Sequence, residues 1–387
     1  MEQTKGKGQG VRRAVDTTRH HRENGWDYRG RAVYHFTFPV EGRFPLFGTL
    51  EGENAERAFI KLNPFGYRVY QILCGLPQFY AAKGFALKVL AQKVMPDHIH
   101  LVIQVLEPLS QSIGAVVRGF KSACTMVYKQ EFLSCGENAT EVHSRASQQG
   151  NAAALMHFAR IFANRNSIWQ QDAAYYHERI LHAPGQLNRM INYVKDNPRR
   201  LWLKKNNPDL FRLHRHTEMC GLSFTSLGNH FLLDWHDNQT VEMPRNATVE
   251  QVQKRLQLAM AAAQNGAVTN TAAISKGEQL IARTLRKQGY PLVVLLSDGF
   301  PKEGSPHERF YKPGGIYFEA CSKGQLLLLE PTEQTFLNED IQSAVEGTLR
   351  RKAAERHYDY KQIPLKSQRY RLVALNEIAK RLARIEK

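Results

Sequence analysis

The chain has 387 residues, 42% hydrophobic and 23% charged, enough apolar material for two packed cores and too much for a wholly disordered chain. No apolar run approaches the roughly 20 residues of a bilayer span, which excludes an integral membrane protein of the helical kind. Lys+Arg outnumber Asp+Glu 53 to 36, a net charge of +17, and such an excess points to a polyanion such as nucleic acid, although a solubilising surface has the same composition.

The opening MEQTKGKGQGVRRA has no apolar stretch of a secretory leader. Five scattered cysteines without a CxxC pair read as reduced thiols of a cytoplasmic protein. Residues 1–27 are polar, basic and glycine-rich and read as a flexible arm. Ala32 to Phe38 is β-branched and aromatic, a first strand. Asn63-Pro64 has the form of an N-cap followed by Pro at the first helical position, opening a helix to about Cys74. Two apolar runs within 85–104, separated by Met95-Pro96-Asp97, predict a hairpin. Helical spacing follows over 110–132, then a polar loop over 134–152, a helix over 153–163, and another over 187–197 that Pro198 is expected to end.

Asn206-Asn207-Pro208 opens a boundary region, taken as 206–245. Thr248-Val249-Glu250-Gln251 has the capping-box form and starts a helix to about Gln264. A helix over 276–287, an apolar strand over 292–296, a Gly/Pro loop and a second apolar strand over 325–329 suggest a small parallel α/β sheet within 246–345. Residues 346–387 read as a helical basic tail.

The sharpest local feature is Met95-Pro96-Asp97-His98-Ile99-His100. Two histidines two apart on a strand share one face, while Ile99 and Leu101 turn into a core. Such a pair can bind a divalent cation if a third ligand arrives from another element, and is otherwise a pair of surface or core histidines. His214-Arg215-His216 repeats the pattern in polar surroundings and reads as solvated. Tyr193 and Asn197 are four apart on a predicted helix and share a face. They suit a nucleophile and a metal ligand; taken alone, they read more simply as a surface tyrosine and a helix-ending asparagine.

In chain order, His98-Ile99-His100 after Met-Pro-Asp, Phe120-Lys121-Ser122-Ala123, Ile168-Trp169-Gln170, His177 to Leu181 and Tyr193-x3-Asn197-Pro198 resemble the REP-associated tyrosine transposases of the HUH single-strand nuclease superfamily. Asp27-Tyr28, Tyr34 to Phe38 and Pro45 to Gly48 are similar to that family's opening strand and loop. The resemblance spans roughly residues 25–205 and implies an α+β, ferredoxin-like nuclease domain over 28–205 with a central antiparallel sheet. It implies Mg²⁺ or Mn²⁺ held by His98, His100 and Asn197, and Tyr193 as a nucleophile that joins covalently to single-stranded DNA, at hairpin-bearing repeat ends, through a 5′-phosphotyrosine link. A homodimer is compatible with it, and no membrane partner is implied.

The sequence departs from the family in a long segment over 134–165 and in one extra residue within 172–176, where Tyr175 and Tyr176 are rival nucleophiles. Glu178 stands where the family often has Asp. Arg118, Lys121, Lys195, Arg199, Arg200, Lys204 and Lys205 are candidate phosphate contacts, and Trp169, Tyr175 and Tyr176 candidate base-stacking rings. The region from Lys276 to Pro331 distantly resembles Rossmann-like DNA-processing (DprA-type) domains. Its Gly314-Gly315 could offer amides to an anion, but a plain turn is the simpler reading. Two other functional classes stay open: a replication initiator or relaxase, disfavoured by the absence of a Walker motif, and a non-catalytic DNA-binding regulator, for which an intact His/His/Tyr/Asn set has no use.

Overall fold

The computed structural model describes residues 23, 25–130, 167–170, 177–234, 237–301, 315–356, 359–365 and 367–383. The predicted segments at 134–152 and 153–163, Tyr175, Tyr176 and Gly314 lie outside them. The chain divides into two compact units, one within Asp16–Leu203 and one within Lys204–Lys387.

The first unit is built on β1 (Ala32–Pro39), a β2–β3 hairpin (Gly48–Glu51 and Phe59–Leu62), α1 (Pro64–Ala81), β4 (Leu87–Val94), β5 (His98–Val105), α2 (Gly114–Tyr128), β6 (His177–Ile180) and α3 (Gln186–Asn206). Its main sheet has the order β4-β5-β1-β6, every pairing antiparallel. Setting the β2–β3 hairpin aside, β1-α1-β4-β5-α2-β6 in that order is the ferredoxin-like βαββαβ topology, so the fold is α+β with a central antiparallel sheet.

Strand alternation sorts the sheet into two faces. Tyr34, Phe36, Phe38, Ile99, Leu101 and Ile103 pack with α1 and α2 in the main core. Val33 and Val102 turn the other way and meet Leu187, Met190, Tyr193 and Val194 of α3. Asn63 caps α1 by accepting from Gly66 N at 2.7 Å. That helix runs seven residues past the predicted end at Cys74, because its apolar stripe continues through Leu76 and Tyr80 and outweighs Pro77. Pro198 does not end α3 either. It removes the rung to Val194 and disturbs the turn below it, and the Asn197 side chain donates to the Tyr193 carbonyl at 2.8 Å beside the lost rung.

The second unit comprises β7 (His214–Met219), β8 (Leu222–Gly228), β9 (Asn238–Thr240), α4 (Val249–Gln264), β10 (Val268–Thr271), α5 (Lys276–Lys287), β11 (Leu292–Leu295), α6 (Gly315–Ser322), β12 (Leu326–Pro331), α7 (Glu333–Phe336), α8 (Glu339–Arg356) and α9 (Gln368–Ala383). Strands β9 to β12 pair in parallel and β8 closes antiparallel on β12, in the order β7-β8-β12-β11-β10-β9. Crossover helices α4, α5 and α6 cover one face, with Ala259, Ile281, Leu285 and Cys321 buried. The other face is covered by α7, α8 and α9.

Two predicted boundaries fail here. Segment 206–245 is no linker: it supplies β7, β8 and β9, because Leu222 to Leu227 carry enough apolar surface to pair on β12. The segment read as a helical basic tail is helical, but its last described helix belongs to the core: Tyr370, Ala374, Leu375, Ile378, Ala379 and Leu382 form a buried stripe of α9.

Candidate active site

The site lies on the α3 face of the first sheet. Register fixes its contents: Thr37 pairs with His100 and Pro39 with His98 across β1–β5, and Lys93 pairs with His100 across β4–β5. His35 is opposite Arg179, and Thr37 opposite His177, on β6. Residues directly opposite in an antiparallel pair point to the same side, so all of these share the face that carries the imidazoles.

His98 and His100 are buried, and their Nε2 atoms are 3.1 Å apart. Two nitrogens bonded at about 2.1 Å to one cation, at right angles, would be about 3.0 Å apart. The other ring nitrogens are held as a metal site requires. His98 Nδ1 is 2.5 Å from Asp97 Oδ1, and Arg43 Nε is 3.3 Å from Asp97 Oδ2. A carboxylate that accepts Nδ1–H leaves the Nε2 lone pair facing outward. His100 Nδ1 is 3.1 Å from His35 Nε2 and 3.0 Å from Thr37 Oγ1. Burial foremost, with the Arg179, His177 and His98 charges adding to it, lowers the His35 pKa to about 3. His35 is therefore neutral near pH 7. If it accepts the His100 Nδ1 proton, the His100 Nε2 lone pair is also free.

His35 does not complete a three-imidazole cage, since it faces the far nitrogen of His100. Among the described residues no group of three or more His, Cys, Asp or Glu side chains is placed to hold a metal ion. A hydroxyl, a backbone carbonyl or an amide could supply a third protein donor; Asn197, buried on α3 with its Nδ2 on the Tyr193 carbonyl, is an amide of this kind. The imidazole pair has the nitrogen separation and the outward-facing lone pairs that suit a divalent cation with open positions.

The Tyr193 ring stands edge-on to His100, centroids 5.5 Å apart, and to His35 at 6.4 Å. The Arg200 guanidinium lies 5.4 Å from the Tyr193 ring centroid. Burial raises the phenol pKa, while Arg200, an Asn197 hydrogen bond, Arg43 and Arg179 oppose the rise. Spacing explains the grouping: 193, 197 and 200 fall on one stripe of the helix.

The candidate phosphate contacts separate. Lys195, Arg199, Arg200, Lys204 and Lys205 are on α3, where Arg199 pairs with Asp196 at 2.6 Å and Lys204 and Lys205 occupy the last turn. Arg118 and Lys121 are on α2, which packs on the opposite face of the sheet, so the fold does not bring them to the imidazoles. Trp169 is no stacking platform: it is 1% exposed and donates from Nε1 to the Lys121 carbonyl at 2.9 Å. Glu178 is opposite Phe36, on the face turned from the histidines. The sequence reading missed His35, Thr37, Arg43, Lys93 and Arg179. His35 and Thr37 were findable, since they alternate with Tyr34, Phe36 and Phe38 along one strand.

The family model described as Transposase IS200 like matches residues 75–145, which include both histidines. A solved chain from Deinococcus radiodurans R1, provisionally named a transposase, is similar at 14% identity over 45% of this chain and 95% of that one, with a TM-score of 0.25. No curated protein matches.

Proposed function

We propose that the first unit is a single-tyrosine transposase of the HUH type, a metal-dependent nuclease that cuts and rejoins single-stranded DNA at hairpin-bearing repeat ends in the cytoplasm. One observation carries the reading: a half-buried phenol stands beside an imidazole pair whose Nε2 atoms have a chelating separation. The IS200-like match over residues 75–145 and the charge of +17 support it.

In the reaction the Tyr193 oxygen attacks phosphorus, the P–O bond to the 3′-oxygen breaks, and a 5′-phosphotyrosine forms. The phenol loses a proton and the leaving 3′-oxygen gains one, so the number of phosphodiester bonds is conserved and a new 3′-hydroxyl can reverse the step. His98, His100 and Asn197 would hold Mg²⁺ or Mn²⁺, which when bound supplies positive charge at the scissile phosphate. Asp97 orients His98; His35 and Thr37 orient His100. Arg200 and the Asn197 amide favour the deprotonated phenol against the effect of burial.

The test is Tyr193→Phe on hairpin oligonucleotides, with and without Mg²⁺. Cleavage and the covalent adduct should fall to background, roughly a thousandfold or more, with binding retained. An adduct that persists in the variant refutes the nucleophile. Metal-independent binding with no cutting of any substrate by the wild type favours the DNA-binding regulator.

A further inference from the structure

Thr37 of β1 and Lys93 of β4 flank His100 on its two sides, on the face that carries the imidazole pair. Thr37 is occupied with His100 Nδ1 at 3.0 Å. Lys93 is half-buried, and among the described residues it makes no ion pair or hydrogen bond with any side chain. Its ammonium has given up part of its hydration with no carboxylate in return, and burial accordingly lowers its pKa. A cation in that position has an electrostatic deficit that an anion would relieve. Of the other cations on this face, Arg43 is engaged by Asp97, Arg200 lies over the Tyr193 ring, and Arg179 is on β6 at the opposite edge of the sheet from Lys93. Lys93 is also near the end of an edge strand, since β4 has β5 on one side only, so an extended ligand can approach from its open side.

We propose that Lys93 is a substrate-contact residue of this site, donating to a non-bridging phosphate oxygen of single-stranded nucleic acid beside the imidazole pair. The inference rests on the nucleic-acid reading above and deepens it by naming the residue that holds the backbone on the β4 side.

The test uses the full chain in EDTA, so that binding is read without cutting. Fluorescence anisotropy with a short fluorescein-labelled oligothymidylate, across a salt series, compares wild type with Lys93→Met and Lys93→Arg. Loss of one phosphate contact should weaken binding roughly tenfold in Lys93→Met. It should also reduce the slope of log affinity against log salt by about 0.7. Lys93→Arg should keep both affinity and slope near wild type. The melting temperature of Lys93→Met should match or exceed that of wild type, because an unpaired, half-desolvated charge has been removed. Unchanged affinity and slope in Lys93→Met would overturn the proposal. So would a lower melting temperature in that variant, which would make the lysine a structural residue. If the wild type itself ignores the oligonucleotide, the nucleic-acid reading fails first, and that result is distinct from a failure of Lys93 alone.

Discussion

His98-Ile99-His100 and His214-Arg215-His216 have one pattern, and each opens a β-strand, β5 in the first unit and β7 in the second. In β5 the alternation is unbroken, so both rings emerge on one face and Ile99 enters the core. In β7 the register against β8 shifts between His214 and Thr217, and His216 has a left-handed φ of 53°. The bulge sends the two rings apart: His216 is exposed, while His214 packs on His230 with centroids 4.6 Å apart. His214 is therefore half-buried, where the sequence reading had both rings solvated. The difference teaches that spacing supplies a chelating pair only when the strand stays regular and a second element covers it. Here that element is α3, which brings Tyr193 to His100; the ring that meets His214 is another histidine.

The sharpest way to break this comparison is to delete one ring from each pair. His100→Ala should abolish Mn²⁺ binding and metal-dependent cleavage, an expected loss of roughly a hundredfold or more. His216→Ala should leave both unchanged. Titration with Mn²⁺, followed by electron paramagnetic resonance, reads the two variants directly. Equal effects would show that the regular strand confers nothing.

A smaller effect is expected one layer out. Asp97→Asn and His35→Phe each remove the group that orients a proposed ligand without touching its Nε2 atom. Each should weaken metal binding about 10- to 100-fold. The wild-type far-ultraviolet spectrum should be retained, because the main core lies on the other face of the sheet. Losses in both variants as complete as that of His100→Ala would make Asp97 and His35 primary determinants and not supports.

Much of this was legible in sequence, and the limits have physical causes. The capping boxes at Thr248 and Ser275 fix the starts of α4 and α5, because the cap and its Gln251 or Glu278 partner are three residues apart in the chain. Only the first of these was read as such. The alternation of Tyr34, Phe36 and Phe38 was equally local. That Thr37 would stand opposite His100 was not, since the pairing joins strands more than sixty residues apart through a register no short segment encodes. Pro198 misled because its local rule is real: the residue before proline resists helical geometry. Helix α3 overrides it with tertiary burial of Met190, Val194, Asn197 and Pro198 itself. The α9 stripe was masked by Lys380 and Arg381 in its last turn, which made a core helix look like a basic tail.

The smallest expected effect concerns acid, and it sharpens the second member of the comparison. Burial foremost, then the neighbouring His214, lowers the pKa of His230, while Asp209 and the Gly228 backbone oppose the shift. His230 Nε2 is 2.7 Å from Ser226 Oγ, so its ring is held in place by a hydrogen bond as well as by packing on His214. A histidine that holds its proton less tightly when folded leaves the unfolded chain binding more protons as pH falls. Its contribution to stability is full above the ordinary histidine pKa near 6.5 and is lost as pH drops through the lowered folded value. His230→Gln removes the titrating group and keeps a hydrogen-bonding side chain beside Ser226. Compared with wild type in urea unfolding, its relative stability should improve steadily from about pH 7.5 to about pH 5. A difference between the two proteins that stays constant over that range would mean that the His214–His230 contact carries no proton linkage, and that the second histidine pair is inert packing.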